Sequence, residues 1–600
     1  MEEIYSYYKE NIDAYTRRLG NLKKKIHLMG SIRLALVVGA ILSLWIFRDE
    51  SWQWLTGITF AYIIPFALLM WYHNKMYARK VYAETLIKLN EDELKGLDYD
   101  FSAFDGAADK ISGEHSFCLD LDVFGDRSLF QSLNRTVTGF GRERLAGWLS
   151  NPLTDKKEIV KRQEAVKELA TLSALRQHFY VTGIIRQDTQ DTRDNDINFM
   201  DRLTQRKHKF VDSLPWKLLI WAVPVLWIVL GIAYSLDWIS GSLLNIYFLI
   251  TLVIAYGRAK EINALYATVN KMESIFNRYS KLMQCVEEDN FQSEELKEIS
   301  GQLANEKELA SHAIKRLSSY IGGLDQRFSL AGIIFNLFYL RDTRHAILLE
   351  RWIQTYSDKL PLWFDALARF DALNSLGGFA FNHPEYIYPE IADTYFQMEG
   401  KALGHPLLNR EVCVKNDIDI RKSPWFLIIT GANMAGKSTY LRTIGVNYLL
   451  ACVGAPVCAA SLTVYPAHMV TSLRTSDSLA SNESYFFAEL KRLIIDRLQN
   501  GEKLFIILDE ILKGTNSIDK QKGSLALMKQ LVAYKACGII ATHDLVLGTL
   551  EEEFPEQIKN YRFEADIKDE ELSFSYQLRE GIAQNMNACF LMNKMGILFN

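Results

Sequence analysis

Residues 431–439, Gly-Ala-Asn-Met-Ala-Gly-Lys-Ser-Thr, have the residue types and spacing of a phosphate-binding loop. They follow the apolar run Trp425-Phe-Leu-Ile-Ile, which reads as a buried strand, and they precede a helical pattern. In such a strand-loop-helix turn the backbone N–H groups wrap phosphate oxygens, and the helix N-terminus adds positive potential. Lys437 then reaches the β and γ phosphates, and Ser438 offers its hydroxyl to Mg²⁺. A second buried-strand pattern, Lys503-Leu-Phe-Ile-Ile-Leu, ends in Asp509-Glu510, and a third, Ala536-Cys-Gly-Ile-Ile-Ala-Thr, delivers His543. Asp509 would act through the metal, and Glu510 would orient or deprotonate an attacking water. A glycine turn or a histidine at a strand end is by itself more often structural. Loop, Asp-Glu pair and His in consistent context point to nucleotide hydrolysis, with Lys437, Glu510 and His543 as the catalytic set.

The elements that must position these groups carry a further pattern. Thr430 to Arg442 resembles the nucleotide loop of the MutS mismatch-repair ATPases, and Asp477-Ser-Leu-Ala-Ser-Asn-Glu-Ser-Tyr-Phe-Phe-Ala-Glu-Leu490 is similar to their signature segment. Leu508 to Asp519 and Ala541-Thr-His-Asp544 follow in the family's order. Upstream, Leu129 to Leu153 with Arg162 to Leu169 is similar to the opening of the family's helical core. Asp365 to Leu376 with Tyr388-Pro-Glu-Ile391 looks like its closing stretch. The resemblance runs from about residue 118 to the C-terminus.

This likeness implies ATP and Mg²⁺ as ligands, with Gly431, Ala432, Asn433, Met434, Ala435, Gly436, Lys437, Ser438 and Thr439 around the nucleotide. It implies Ser438 and Asp509 on the metal. It also implies a dimer, expected to be a homodimer through the ATPase domains, with Ser484 of one subunit approaching the γ-phosphate held by the other. Some positions depart from the pattern. Asn482 stands where the family usually has Gly, Leu512-Lys513 replaces Gly-Arg, and Val412 to Asp417 carries no aromatic where relatives often stack one on adenine.

Four apolar segments set this chain apart from a soluble member of that family: Leu34 to Phe47, Trp54 to Trp71, Leu218 to Tyr234 and Leu243 to Tyr256. They read as two helical hairpins in a membrane, although the first and last are short for a bilayer without their flanks. Trp45, Trp52, Trp54 and Trp238 stand near the turns, where a membrane interface would place them. Arg17, Arg18, Lys23 to Lys25, Lys75, Arg79, Lys80, Arg258 and Lys260 crowd the other side. The positive-inside rule then puts the N-terminus, core and ATPase on the cytoplasmic face of a multi-pass plasma-membrane protein. The N-terminus, Met1-Glu-Glu-Ile, is acidic and does not read as a cleavable signal.

The expected fold is an α/β P-loop (ABC-type) ATPase domain at residues 396–600 behind an all-α core with levers at 118–395. The second transmembrane hairpin interrupts that core at about 216–257, in the place of the family's DNA clamp. Ahead of it come an N-terminal helix at 1–30, the first transmembrane hairpin at 31–73 and a connector at 74–117. Beyond Arg258, apolar residues at three-to-four spacing predict returning lever and core helices. The short connector leaves no room for a mismatch-reading domain, and a C-terminal helix-turn-helix or nuclease is expected to be missing after Asn600. The formal net charge of −4 gives no global basic field, so DNA contact needs a local patch. The seven cysteines show neither metal-ligand spacing nor a disulfide framework. DNA remains an expected partner with weak or no mismatch specificity. The alternatives are a scaffold whose ATPase regulates a protein partner, and an ATP-driven transporter, against which the lack of charge inside the four segments argues.

Overall fold

The apolar runs nearest the N-terminus lie inside helices much longer than the runs themselves. The computed structural model describes residues 1–112, 115–184, 213–269, 272–305, 308–432, 435–473, 494–510, 517–568 and 571–584. In it, helices Glu2–Ile46 and Trp52–Leu97, of 45 and 46 residues, form the first hairpin. At about 1.5 Å rise per residue each is roughly 70 Å long. The expected N-terminal helix and connector are thus continuous with the hairpin arms as far as Leu97. Apolar side chains occupy the outer ends, and polar groups tie the inner ends to the core. The Tyr8 hydroxyl donates to Asn382 Oδ1 at 2.6 Å, and Glu93 accepts from Arg135 Nε at 2.6 Å and from Asn382 Nδ2 at 2.9 Å.

In the helical core the helix Leu360–Asn382 packs against both Gly139–Ser150 and Lys156–Thr171. Their starts are fixed locally: Thr138 accepts from Gly141 N, and Asp155 accepts from Lys157 N and Glu158 N. Tertiary fit then takes over. A Cβ on Gly141 would stand 2.2 Å from Asp371 Oδ2, so only glycine lets the two helices approach there. The Asp371 carboxylate accepts from Val137 N, Thr138 N and Thr138 Oγ1. Burial pushes its pKa up to about 7 against those donors, which favour the ionised form.

The second hairpin, Leu214–Ser235 and Gly241–Tyr256, leaves this core and returns as Ala259–Val269, Glu273–Glu287, Glu294–Leu303 and Ala310–Asp325. The stripe Ile262, Leu265, Val269, Met272 and Ile275 is buried, as its spacing predicts. Among the described residues four helices, two from each hairpin, are long and apolar enough to cross a membrane. No more than 11 % of any of their apolar windows is buried within the protein, so they are not core helices.

The C-terminal part is built on a six-stranded sheet in the order Arg579–Glu580, Ile558–Phe563, Trp425–Gly431, Cys537–Thr542, Leu504–Asp509, His468–Ser472. Its five longer strands are parallel, and the central three are almost wholly buried, which explains their near-continuous apolar sequences. A separate four-stranded sheet flanks it. One of its strands, Glu390–Ile391, pairs with Ser461–Val464, so this sheet begins ahead of residue 396.

Candidate functional site

Strand pairing brings three of the motifs to one edge. Trp425–Gly431 and Leu504–Asp509 both pair in parallel with Cys537–Thr542, which lies between them. In that register Thr430 is opposite Thr542, and Asp509 is opposite Ala541. All three strands therefore end together, and the residues just past their ends face one crevice, the usual place for ligands on an open α/β sheet. The loop leaves its strand at Gly431, φ +149°, and enters helix Lys437–Val453 at Gly436, φ +107°. A Cβ on Gly431 would stand 2.4 Å from the Phe563 carbonyl oxygen, so the turn requires glycine there.

The charged groups converge around this turn. Lys437 is buried, and its ammonium donates to the carbonyls of Gly431 at 2.6 Å and Ala432 at 2.9 Å, with the His543 ring nitrogens 3.5 Å away. Ser438 Oγ donates to Asp509 Oδ2 at 2.5 Å. His543 Nε2 lies 2.7 Å from Glu510 Oε1. Burial and the Lys437 ammonium hold the His543 imidazole below its ordinary pKa, with Glu510 pulling the other way. The ring is therefore neutral at pH 7 and donates its N–H to the carboxylate.

Glu510 occupies the left-handed region at φ +54°, and its N–H is held by the Ala541 carbonyl at 2.9 Å. Such a conformation costs a non-glycine residue about 1 kcal/mol or more, and residues of this kind cluster at functional sites.

The set fits a nucleotide triphosphate with a magnesium ion. Glycine keeps side chains off the two positive-φ corners of the loop, and the buried ammonium is held against its first two carbonyls. Among the described residues no group of three or more His, Cys, Asp or Glu could hold a metal by itself. The adjacent hydroxyl and carboxylate oxygens of Ser438 and Asp509 are what Mg²⁺ takes when phosphates and water complete its shell. Thr439 and Ala435 lie in the first helical turn and the loop. Asn433, Met434 and Ser484 lie outside the described residues.

One residue escaped the sequence reading. Tyr576 has its ring against the loop, so that a Cβ on Gly436 would meet its Cδ1 at 3.0 Å, and it is 45 % exposed. Its carbonyl accepts from Asn416 Nδ2 at 3.0 Å, and Leu578 N donates back to Asn416 Oδ1 at 2.8 Å. The segment 412–417, which lacks an aromatic of its own, thus pins one that comes from 160 residues further along the chain.

The helical core reaches this site from behind. Asp120 accepts from Thr471 Oγ1 at 2.6 Å and Leu473 N at 3.0 Å, at the end of the strand His468–Ser472. Asp122 pairs with Arg442 on the loop helix at 3.3 Å.

Sheet, loop and supporting helices define an α/β domain, with a glycine-cornered turn between strand and helix, mounted on a helical core. Two family models match the chain, MutS domain III over residues 119–377 and MutS domain V over residues 427–594. Together they take in most of its length, and the chain belongs to the MutS family. It is similar to the DNA mismatch repair protein MutS of Aquifex pyrophilus, 27 % identical over 514 residues, covering 76 % of this chain and 56 % of that protein. The same-named protein of Thermotoga petrophila is 30 % identical over 36 % of this chain and 28 % of its own length. MutS protein homolog 4 of Homo sapiens is 30 % identical over 34 % of this chain and 22 % of its own. In these three relatives the match spans between 22 and 56 % of the relative's length.

Proposed function

We propose that the protein is a membrane-anchored, dimeric ATPase of MutS type, in which ATP binding and hydrolysis switch the dimer between states that differ in their hold on DNA. The observation that carries this is the convergence of Lys437, the Ser438–Asp509 pair and the Glu510–His543 pair at the ends of three parallel strands. Lys437 balances charge on the β and γ phosphates. Glu510 takes a proton from the attacking water, and neutral His543 orients that carboxylate through its N–H. Magnesium held by Ser438 and Asp509 would supply charge neutralisation on the phosphates. Tyr576 offers a face for the base. Ser484 of the second subunit completes the γ-phosphate contacts, so that the homodimer is the active form.

The membrane reading rests on the four exposed apolar helices and on the basic residues at their inner ends. It puts the N-terminus, core and ATPase on the cytoplasmic face of the plasma membrane. The second hairpin lies inside the stretch that matches MutS domain III. There it takes the place of a DNA-touching clamp, and the short connector ahead of the core has no room for a mismatch-reading domain, which is why little mismatch specificity is expected. A net charge of −4 favours a second reading, in which the switch controls a protein partner at the membrane.

Steady-state ATP hydrolysis by the detergent-solubilised full chain, alone and with matched or mismatched duplex, separates these readings. Glu510→Ala should lower turnover by about 10²–10⁴-fold, the usual contribution of a general base. Stimulation by both duplexes alike, weakening with salt, supports the DNA switch. Hydrolysis indifferent to DNA moves the partner search to proteins.

A further inference from the structure

Between the helices Ala310–Asp325 and Arg341–Tyr356 the chain forms a ten-residue helix, Leu330–Tyr339, with no charged residue in it. It packs against both arms of the second hairpin: the Phe338 ring lies 4.7 Å from that of Trp227, and Leu340, just past its end, is buried with Val223 and Ala255. Among the described residues little covers its other face. Leu330 is 79 % exposed, Phe335 59 % and Ile334 50 %, with Phe328 just ahead at 70 %. An open groove of about 730 Å³ runs between this helix and Pro224, Trp227 and Ile228 of the hairpin, with Gln326, Arg341 and His345 also lining it. A contiguous apolar face of this kind on a water-facing surface marks an interaction site.

Polar groups at the two ends of this helix are partly paired within the chain. Arg327 pairs with Asp342 at 3.3 Å, both buried, and Arg341 donates to Gln326 Oε1 at 2.7 Å. Pro224 has no N–H to bond the Ile220 carbonyl four residues earlier, and Arg344 Nη2 donates to that oxygen at 2.5 Å while its guanidinium lies over the rings of Trp221 and Tyr339. Arginine guanidinium groups lying over tryptophan and tyrosine rings are what a membrane interface accommodates. Depth agrees with this. Pro224 to Ile228 follow Lys217 by a rise of about 10–16 Å, which reaches about half of a ~30 Å hydrocarbon layer.

We propose that Leu330–Tyr339 is a fifth membrane element, an uncharged half-depth helix lying in the cytoplasmic leaflet beside the second hairpin, with a phospholipid acyl chain in the groove. The inference rests on the reading of that hairpin as membrane-spanning. It goes further, because it joins the bilayer directly to Arg341–Tyr356 and, through it, to the helical core.

The test uses the full chain in phosphatidylcholine and phosphatidylglycerol vesicles, with a nitroxide side chain introduced by codon reassignment at position 334 or, lining the groove, at 335. Position 228 on the hairpin and position 294 on the core serve as references. Collision rates with oxygen, which enters lipid, and with a nickel chelate, which stays in water, are compared. The expected result is an oxygen-to-nickel ratio at 334 and 335 severalfold above that at 294 and close to that at 228. A lipid-like ratio at 228 with a water-like ratio at 334 overturns this inference and leaves the spanning hairpin standing. A water-like ratio at 228 removes the hairpin reading itself. Shielding of 334 from both reagents with dipolar broadening shows a second copy of the chain on this face, and also overturns the inference.

Discussion

Glu510 and Tyr576 mark the two ends of what a sequence tells at the scale of a residue. Glu510 was legible because its chemistry constrains its place: a carboxylate directly after a buried strand and an Asp has few other uses, and its left-handed backbone conformation agrees. Tyr576 was not legible, because its approach to the loop depends on Asn416 holding a distant segment, which no local spacing records. If its ring receives the base, Tyr576→Ala should raise KM for ATP by about tenfold, since stacking on an aromatic is worth about 1–3 kcal/mol, and should leave kcat nearly unchanged. Measured turnover that falls at unchanged KM would assign the ring to shaping the Gly436 corner instead.

Elements were legible where periodicity and burial agree. The loop strand, the Asp-Glu strand and the His strand lie where apolar runs placed them, and the stripe from Ile262 to Ile275 faces the core. The helix Leu330–Tyr339 was not singled out, because ten uncharged residues are too few for a span and carry no charged face to signal a surface helix. The four-stranded sheet was missed as well, since strands as short as Glu390–Ile391 leave almost no alternation to read.

The joint between Gly139–Ser150 and Leu360–Asn382 tests the packing account. In Asp371→Ala, the N–H groups of Val137 and Thr138 and the Thr138 hydroxyl lose their acceptor inside the core. Thermal or denaturant unfolding of the detergent-solubilised protein should show a loss of about 2–4 kcal/mol, the range for stranding buried donors. A variant as stable as the parent would mean that these donors find other partners, and that the burial which raises the Asp371 pKa is the larger influence on this joint.

At the scale of the whole molecule the chain links two apolar hairpins, proposed above to cross a bilayer, with a helical core and the candidate site. The first hairpin is fastened to the core through Tyr8, Glu93, Arg135 and Asn382. The core in turn is fastened to the nucleotide domain through Asp120 and Asp122. Movement of the loop helix against its neighbours therefore has a packed route toward the apolar hairpins. The second subunit is beyond any single-chain pattern, and only the likeness of residues 477–490 to a signature segment supplies it.

Mixing two inactive variants tests that central claim most directly. Lys437→Ala loses the nucleotide site in its own subunit, and Ser484→Ala loses the contact given to the partner. Each alone should hydrolyse almost no ATP. Co-expressed in equal amounts, half of the dimers pair one of each and hold one intact composite site, so turnover should return to about a quarter of the parent's. No recovery from two folded, dimerising variants would contradict a site shared between subunits. Full activity of Ser484→Ala alone would contradict it as well.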